Sequence, residues 1–147
     1  MPTDLRHDVE TAGRLRFATM RLARLLRQHA DPDSGLSQSL LSALTSINRV
    51  GPVTLGQLAS IERVQPPSMT RIIDQLEARG LVVREIDEAD RRVARVRLLP
   101  PADTLIAELR TRKTEYLASR LADLTTAELD ALEAALPALE HLAGVSQ

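Results

Sequence analysis

The chain has 147 residues, a formal net charge of −1 and 44% apolar residues, which suits one domain, or one domain with a dimerisation extension, and excludes global disorder. It contains no cysteine, which removes a disulfide scaffold, a thiolate metal site, a cysteine nucleophile and a thiol redox sensor together. One Phe, one Tyr and no Trp leave Leu, Val, Ile and Ala to build the core, so a mainly helical protein is expected.

In chain order, the charged start from Met1 to Asp8 has no apolar h-region, so no signal peptide is expected. Residues 5–30 read as a long helix with Leu15, Ala18, Leu22, Leu25 and Leu26 at helical spacing, broken by Asp31-Pro32-Asp33-Ser34-Gly35. Ser37 caps a second helix with Leu40, Leu41, Leu44 and Ile47 on its inner stripe, stopped at Gly51-Pro52. Thr54 and Gln57 form a capping box for a short third helix that reaches Glu62. After the tight connection Glu62-Arg63-Val64-Gln65, Pro66-Pro67 fits only a first helical turn, and a fourth helix runs from Ser68 to about Arg79.

Beyond Gly80 the period changes from helical to alternating. Residues 81–86 and 93–98 form a two-stranded antiparallel hairpin, with Ala94, Val96 and Leu98 on one face and Arg95 and Arg97 on the other. A fifth helix is expected at roughly 102–122. A sixth starts at the capping box Thr125/Glu128 and carries Leu129, Leu132, Leu136 and Leu139, with Pro137 kinking or ending it. No apolar run is long enough to span a bilayer, so no membrane is expected and the default address is cytoplasmic. His7, His29 and His141 show no ligand spacing, and neither a metal nor a cofactor is expected.

A net charge near zero argues against nucleic acid until its distribution is considered. Residues 1–30 carry six Arg against three acids, residues 101–147 four Lys and Arg against eight, and residues 66–99 seven Arg against six. The last ratio is nearly neutral, so any DNA-binding face must be found by placement.

Placement points to one. Three short helices followed by a hairpin form the pattern of a winged helix-turn-helix. The second helix of the turn-linked pair would lie in the major groove and present Gln65, Ser68, Thr70 and Arg71 to base edges. A guanidinium can read O6 and N7 of guanine bidentately. The N-terminus of that helix should also attract a phosphate through free N–H groups and its dipole. Asp90, Arg91 and Arg92 crowd the hairpin tip, where a tight turn would ordinarily use Gly or Asn. An arginine on a protruding tip suits the narrow, electronegative minor groove, and a nearby carboxylate can hold it extended. The bland alternative is a solvated tip with a weak surface ion pair. Helix and tip together outweigh it.

The stretch Gln65-Pro66-Pro67-Ser68-Met69-Thr70-Arg71-Ile72-Ile73-Asp74-Gln75-Leu76-Glu77-Ala78-Arg79-Gly80-Leu81-Val82 resembles the recognition helix of MarR-type regulators. Asp87-Glu88-Ala89-Asp90-Arg91-Arg92 followed by Val96-Arg97-Leu98 resembles their wing. The resemblance implies a twofold homodimer on double-stranded DNA, a palindromic operator, usually repression, and often release by a small-molecule effector. By it Arg92 is the wing arginine of the minor groove, Asp90 the carboxylate that orients it, and Arg91 lies close to the backbone. Ser68, Thr70 and Arg71 face the major groove, and Ser37 and Thr54 contact phosphates. Gln65 stands where the family usually has a Ser N-cap. Leu98-Leu99-Pro100-Pro101-Ala102 lacks the Thr and Gly common after the wing.

The expected organisation is a dimerisation helix over 1–34, a winged helix-turn-helix over 35–100 and dimerisation helices over 101–147. Leu15 and Leu22 of the first helix and Leu129, Leu132, Leu136 and Leu139 of the last would pack between subunits, each buried Leu contributing roughly 1.5–3 kcal/mol. An effector pocket would be lined by aliphatic groups, with an arginine of the first helix for an anion. His29 reads as a satisfied structural histidine. A winged-helix module used for protein–protein contact, as in an antirepressor, is the alternative. An enzyme has little support, because no nucleophile–base pairing, phosphate loop or metal spacing is present.

Overall fold

The computed structural model describes residues 5–30 and 34–145. The chain's first four residues, and Asp31-Pro32-Asp33 at the expected helix break, lie outside the described residues. The elements run α1 (Leu5–Ala30), α2 (Gln38–Val50), β1 (Val53–Thr54), α3 (Leu55–Glu62), α4 (Pro66–Ala78), β2 (Val82–Ile86), β3 (Ala94–Leu98), α5 (Pro100–Leu121) and α6 (Thr126–Leu142). The protein is mainly helical with one small antiparallel sheet, as the composition implied.

Local chemistry accounts for most of the helix ends. Both expected capping boxes form: the Thr54 hydroxyl takes the Gln57 N–H at 3.2 Å while the Gln57 side chain takes the Thr54 N–H at 3.1 Å, and Thr125 and Glu128 repeat the exchange. Ser37 caps α2 through the Leu40 N–H. Gly80, at φ 68°, lets the Leu81 N–H reach back to the Leu76 carbonyl at 3.0 Å, which closes α4 and turns the chain into the sheet.

Four elements depart from expectation. α4 and α5 each begin at the first of two prolines, two residues earlier than read from the sequence. A first helical turn loses nothing by lacking N–H groups that would have no intrahelical partner. Of the two effects expected of Pro137, ending the helix does not occur: α6 continues to Leu142. Pro137 lies exposed, where water can satisfy the carbonyl it frees. Finally, the hairpin acquires a third strand: the sheet order is β1-β3-β2, with Val53 opposite Val96 and Thr54 opposite Arg95.

The described residues form two compact units, one of residues 30–111 and one of the chain ends up to 29 and from 112. In the first, Leu40, Leu44 and Ile47 of α2, Leu58 of α3, Met69, Ile73 and Leu76 of α4, and Val82 and Val96 of the sheet are fully buried in one cluster. Ala102 of α5 joins them. α2 and α3 are also joined by a polar clamp. Glu62 accepts the Ser42 hydroxyl at 2.5 Å and, through its other oxygen, the hydroxyl of the buried Ser46. This fixes the end of α3 just before the turn into α4.

The second unit has no comparable interior. Every buried apolar side chain among the described residues lies between Leu40 and Leu109. α1 and α6 instead leave Val9, Phe17, Met20, Leu22, Leu136 and Leu142 exposed.

Glu62→Ala would strand the Ser46 hydroxyl without its acceptor in a buried place. A loss of about 1–3 kcal/mol in unfolding free energy is expected from urea denaturation, and no change would show that the clamp is not a stabilising contact.

Candidate nucleic-acid interface

The apolar residues of α4 recur at 69, 73 and 76 and all point into the core. The opposite side of the first two turns must therefore face outward, and Ser68, Thr70 and Arg71, with Gln65 just before the helix, are all exposed. Their hydrogen-bonding capacities differ. The Thr70 hydroxyl donates to the Pro66 carbonyl at 3.1 Å, leaving its lone pairs and methyl group for a partner. Gln65 is the N-cap residue, yet its side chain makes no capping bond. Arg71 forms no ion pair among the described residues.

The expected phosphate site on the α4 backbone is absent. Pro66 and Pro67 have no N–H, and those of Ser68 and Met69 donate to the Gln65 carbonyl at 2.9 and 3.1 Å. Only the dipole and the side chains of this turn remain to attract an anion.

The wing is organised by two aspartates. One Asp87 oxygen accepts the N–H groups of Ala89 and Asp90 at 2.8 and 3.2 Å, and the other pairs with the Arg95 guanidinium. Backbone bonds of Asp87 to the Val93 carbonyl and of Val93 to the Asp90 carbonyl close the loop without a glycine. Asp90 was expected to hold the Arg92 guanidinium. Its carboxylate instead accepts the Arg92 backbone N–H at 3.0 Å, the geometry of an Asx turn, in which the short side chain folds onto its own backbone. Asp90, Arg91 and Arg92 are exposed, and neither arginine is ion-paired among the described residues.

The arginines of the two wing strands, of the wing tip and of the exposed face of α4 near its start thus fall into two groups. Arg84 reaches from β2 to Asp74 at 2.6 Å and to Glu77, both on α4, and its backbone N–H also donates to Glu77. Arg97 pairs with Glu85 at 2.5 Å and Arg95 with Asp87, each along the diagonal of the β2–β3 register rather than straight across. Partial burial disfavours the Arg84 charge, but the hydrogen bond to Asp74 and the charges of Glu77 and Asp74 outweigh it and hold its pKa above the ordinary value. The hydrogen bond from Arg97 holds the Glu85 carboxyl below its usual range. The bond from Arg95, followed by those from the Ala89 and Asp90 N–H groups, does the same for Asp87. Such surface pairs contribute little stability. Their larger consequence is to neutralise the sheet arginines while Arg71, Arg91 and Arg92 keep their charge uncompensated. The sequence reading missed these pairs. The one available signal was the pair of acids Glu85 and Asp87 on and just after one strand with Arg95 and Arg97 on the next.

Of the other expected site residues, Ser37 is exposed and shares its hydroxyl with Ser39 at 3.0 Å, whereas the Thr54 hydroxyl is engaged on both sides by Gln57. In the unit of chain ends Leu15, Leu129, Leu132 and Leu139 are half-buried, and Leu22 and Leu136 are exposed. His29 donates through Nδ1 to the Leu25 carbonyl and stacks on Tyr116 with ring centroids 3.9 Å apart. No described helix is long and apolar enough to cross a membrane.

A helix pair whose second member bares its first turn beside a charged two-stranded wing defines a winged helix-turn-helix protein. The MarR family profile matches residues 36–94. An HTH-type transcriptional regulator of Mycobacterium bovis is 42% identical over 128 residues, covering 87% of this chain and 89% of the relative. Among solved structures, a protein of Pseudomonas aeruginosa described as a transcriptional regulator superposes with a TM-score of 0.80 at 32% identity, over 98% of this chain and 100% of the other. A MarR family protein of Bacillus stearothermophilus gives 0.76 at 25% identity, over 97% and 99%. The chain belongs to the MarR family of helix-turn-helix transcriptional regulators.

Because the folded-state pKa of Asp87 is depressed, its contribution to wing order is present above the ordinary carboxylate pKa of about 3.9 and is lost as pH falls through the lower folded value. In an NMR titration followed at its own side-chain carboxyl carbon, Asp87 should titrate below the ordinary carboxylate value of about 3.9. In Asp87→Ala the amide resonances of Ala89 and Asp90 should already be displaced at neutral pH, since their acceptor is gone. A titration of Asp87 at or above the ordinary value would show that Arg95 and the two N–H groups do not hold its carboxylate.

Proposed function

We propose that this regulator binds a palindromic operator in duplex DNA as a homodimer, acts as a repressor, and is released by a small-molecule effector. The observation that carries the reading is the allocation of charge around α4 and the wing. Carboxylates occupy the sheet arginines, and Arg71, Arg91 and Arg92 are exposed, without an ion pair among the described residues, in the first two turns of α4 and at the wing tip. In this reading Ser68, Thr70, Arg71 and Gln65 read base edges in the major groove. Arg92 enters the minor groove, with Arg91 near the phosphates and Asp90 shaping the turn that projects both. Ser37, at the start of α2, contacts the backbone. Thr54 does so less directly, since its hydroxyl already serves Gln57.

The homodimer is supported by the end unit, in which no apolar side chain among the described residues is fully buried. Burying Leu22, Leu136 and the half-buried Leu15, Leu129, Leu132 and Leu139 against a second copy would contribute up to roughly 1.5–3 kcal/mol for each fully covered leucine. A dimer that docks two α4 helices in successive major grooves must hold them about 34–36 Å apart. For the effector, a cleft of about 420 Å³ lies in the winged unit, lined by Val50, Pro52, Val53, Gln57, Ser60, Ile61 and Arg95. Because Arg95 also holds Asp87, an anion in this cleft would compete for a bond that orders the wing. Couplings of this kind are typically worth about 1–3 kcal/mol.

Selection of bound fragments from a randomised duplex library, followed by sequencing, tests the core of this reading. It should return a two-fold symmetric site whose affinity falls with salt. Recovery of no duplex above background would favour a protein-contact role instead. Arg92→Ala should weaken operator binding strongly while light scattering still reports a dimer. Arg71→Ala should lose about 1–3 kcal/mol of discrimination at one base position in each half-site. An intact preference would remove Arg71 from base reading.

A further inference from the structure

We propose that Arg63, in the turn between α3 and α4, is a further DNA-phosphate contact beside the groove-entering end of α4; the proposal rests on the reading of this protein as a duplex-DNA binder. The first observation is backbone strain. Among the described residues Arg63 is the one non-glycine residue with positive φ, at φ 53° and ψ 42°. A side chain is disfavoured in this left-handed conformation, and glycine closes such a turn at lower cost. The local hydrogen bonding does not call for arginine. The Arg63 N–H caps α3 through the Ala59 and Ser60 carbonyls, which any residue with a backbone N–H can do.

The second observation is that the charge is unspent. Arg63 is exposed and forms no ion pair among the described residues. The adjacent carboxylate, Glu62, has one oxygen on Ser42 and the other on Ser46, both on α2. The clamp that fixes α3 therefore also occupies the nearest acid in the chain.

The third is a deficit at the neighbouring helix end. The start of α4 has two prolines, and its next two N–H groups are spent on the Gln65 carbonyl. Its backbone cannot grip a phosphate as a free helix N-terminus does. A helix lying in the major groove nevertheless enters between two phosphate backbones. A guanidinium two residues ahead of Gln65, on a long flexible stem, supplies the missing positive group at that entrance.

The test measures affinity by fluorescence anisotropy for the duplex selected by the wild-type chain and for an unrelated duplex, at about 50 and about 200 mM salt, together with urea midpoints. Losing one phosphate contact lowers the slope of log affinity against log salt by about 0.9, so the ratio of wild-type to Arg63→Ala affinity should fall about 3-fold between the two salts. The change should be the same on both duplexes, because a phosphate contact carries no sequence information. Arg63→Lys keeps the charge and should keep the slope. Arg63→Gly should bind as weakly as Arg63→Ala while unfolding at higher urea than either Arg63→Ala or the wild type, so that affinity falls as stability rises.

Wild-type affinity and slope in Arg63→Ala, in a protein whose Arg92→Ala variant does bind more weakly, would overturn the Arg63 contact and leave the DNA-binding reading standing. Equal losses in Arg63→Ala and Arg63→Lys would overturn it as well, since charge would not be the cause. A wild-type chain that binds neither duplex at either salt overturns the underlying reading and the Arg63 contact with it.

Discussion

Packing of α4 against the rest of the winged unit is the constraint on which the other features depend. Met69, Ile73 and Leu76 are fully buried among side chains from α2, α3 and the sheet, and this sets the rotation of the helix about its own axis. Once that rotation is set, helical geometry alone dictates that Ser68 and Arg71 face away from the core. The surrounding contacts hold the same arrangement from other sides. Arg84 ties α4 to β2 through Asp74 and Glu77, and Glu62 fixes the end of α3 through two hydroxyls of α2. The helix that the proposed function places in the groove is therefore held along its inner face, at its C-terminal half and through the element that precedes it.

The electrostatic character of this unit follows from pairing rather than composition. A segment with almost as many acids as arginines would present a neutral surface if each charge were equally exposed. Here the acids of β2 and the C-terminal half of α4 are taken up by Arg84 and Arg97, and Asp87 at the wing's base by Arg95. Arg71 near the start of α4 and Arg91 and Arg92 at the tip of the wing are left without a carboxylate partner among the described residues. The individual ion pairs are worth little as stability. Their arrangement governs which cations can engage an anionic partner without first losing another. The wing gains its shape from the same economy of groups: Asp87 and Asp90 order a loop with their carboxylates where hairpins commonly rely on glycine.

The two units contrast in how they can be stable. Residues 30–111 enclose a continuous aliphatic cluster. The chain ends carry long helices with apolar residues on their surfaces and, among the described residues, no buried apolar side chain beyond Leu109 or before Leu40. Exposed groups such as Phe17, Met20 and Leu136 cost free energy in water, and a second copy of the chain is the proposed cover.

Legibility followed the range of the interactions involved. Both capping boxes, the stop at Gly51, the hairpin and the family membership could be read from residues close together in sequence, because each depends on contacts within a few positions. The helix starts at Pro66 and Pro100 were displaced by two residues, since a proline pair is compatible with lying just before a helix as well as opening it. β1 was not legible: two residues carry no periodicity, and Val53 and Thr54 become a strand only because β3 lies beside them. The ion pairs were equally hidden, because several acids stand at comparable separations from each arginine and only the antiparallel register selects Glu85 for Arg97 and Asp87 for Arg95. What the amino-acid order determined by itself was the succession of the helices and the hairpin, and the family. Which charges remain free, and which backbone donors are already spent, was decided by the tertiary structure, since pairing requires groups distant in the chain to meet at hydrogen-bonding distance.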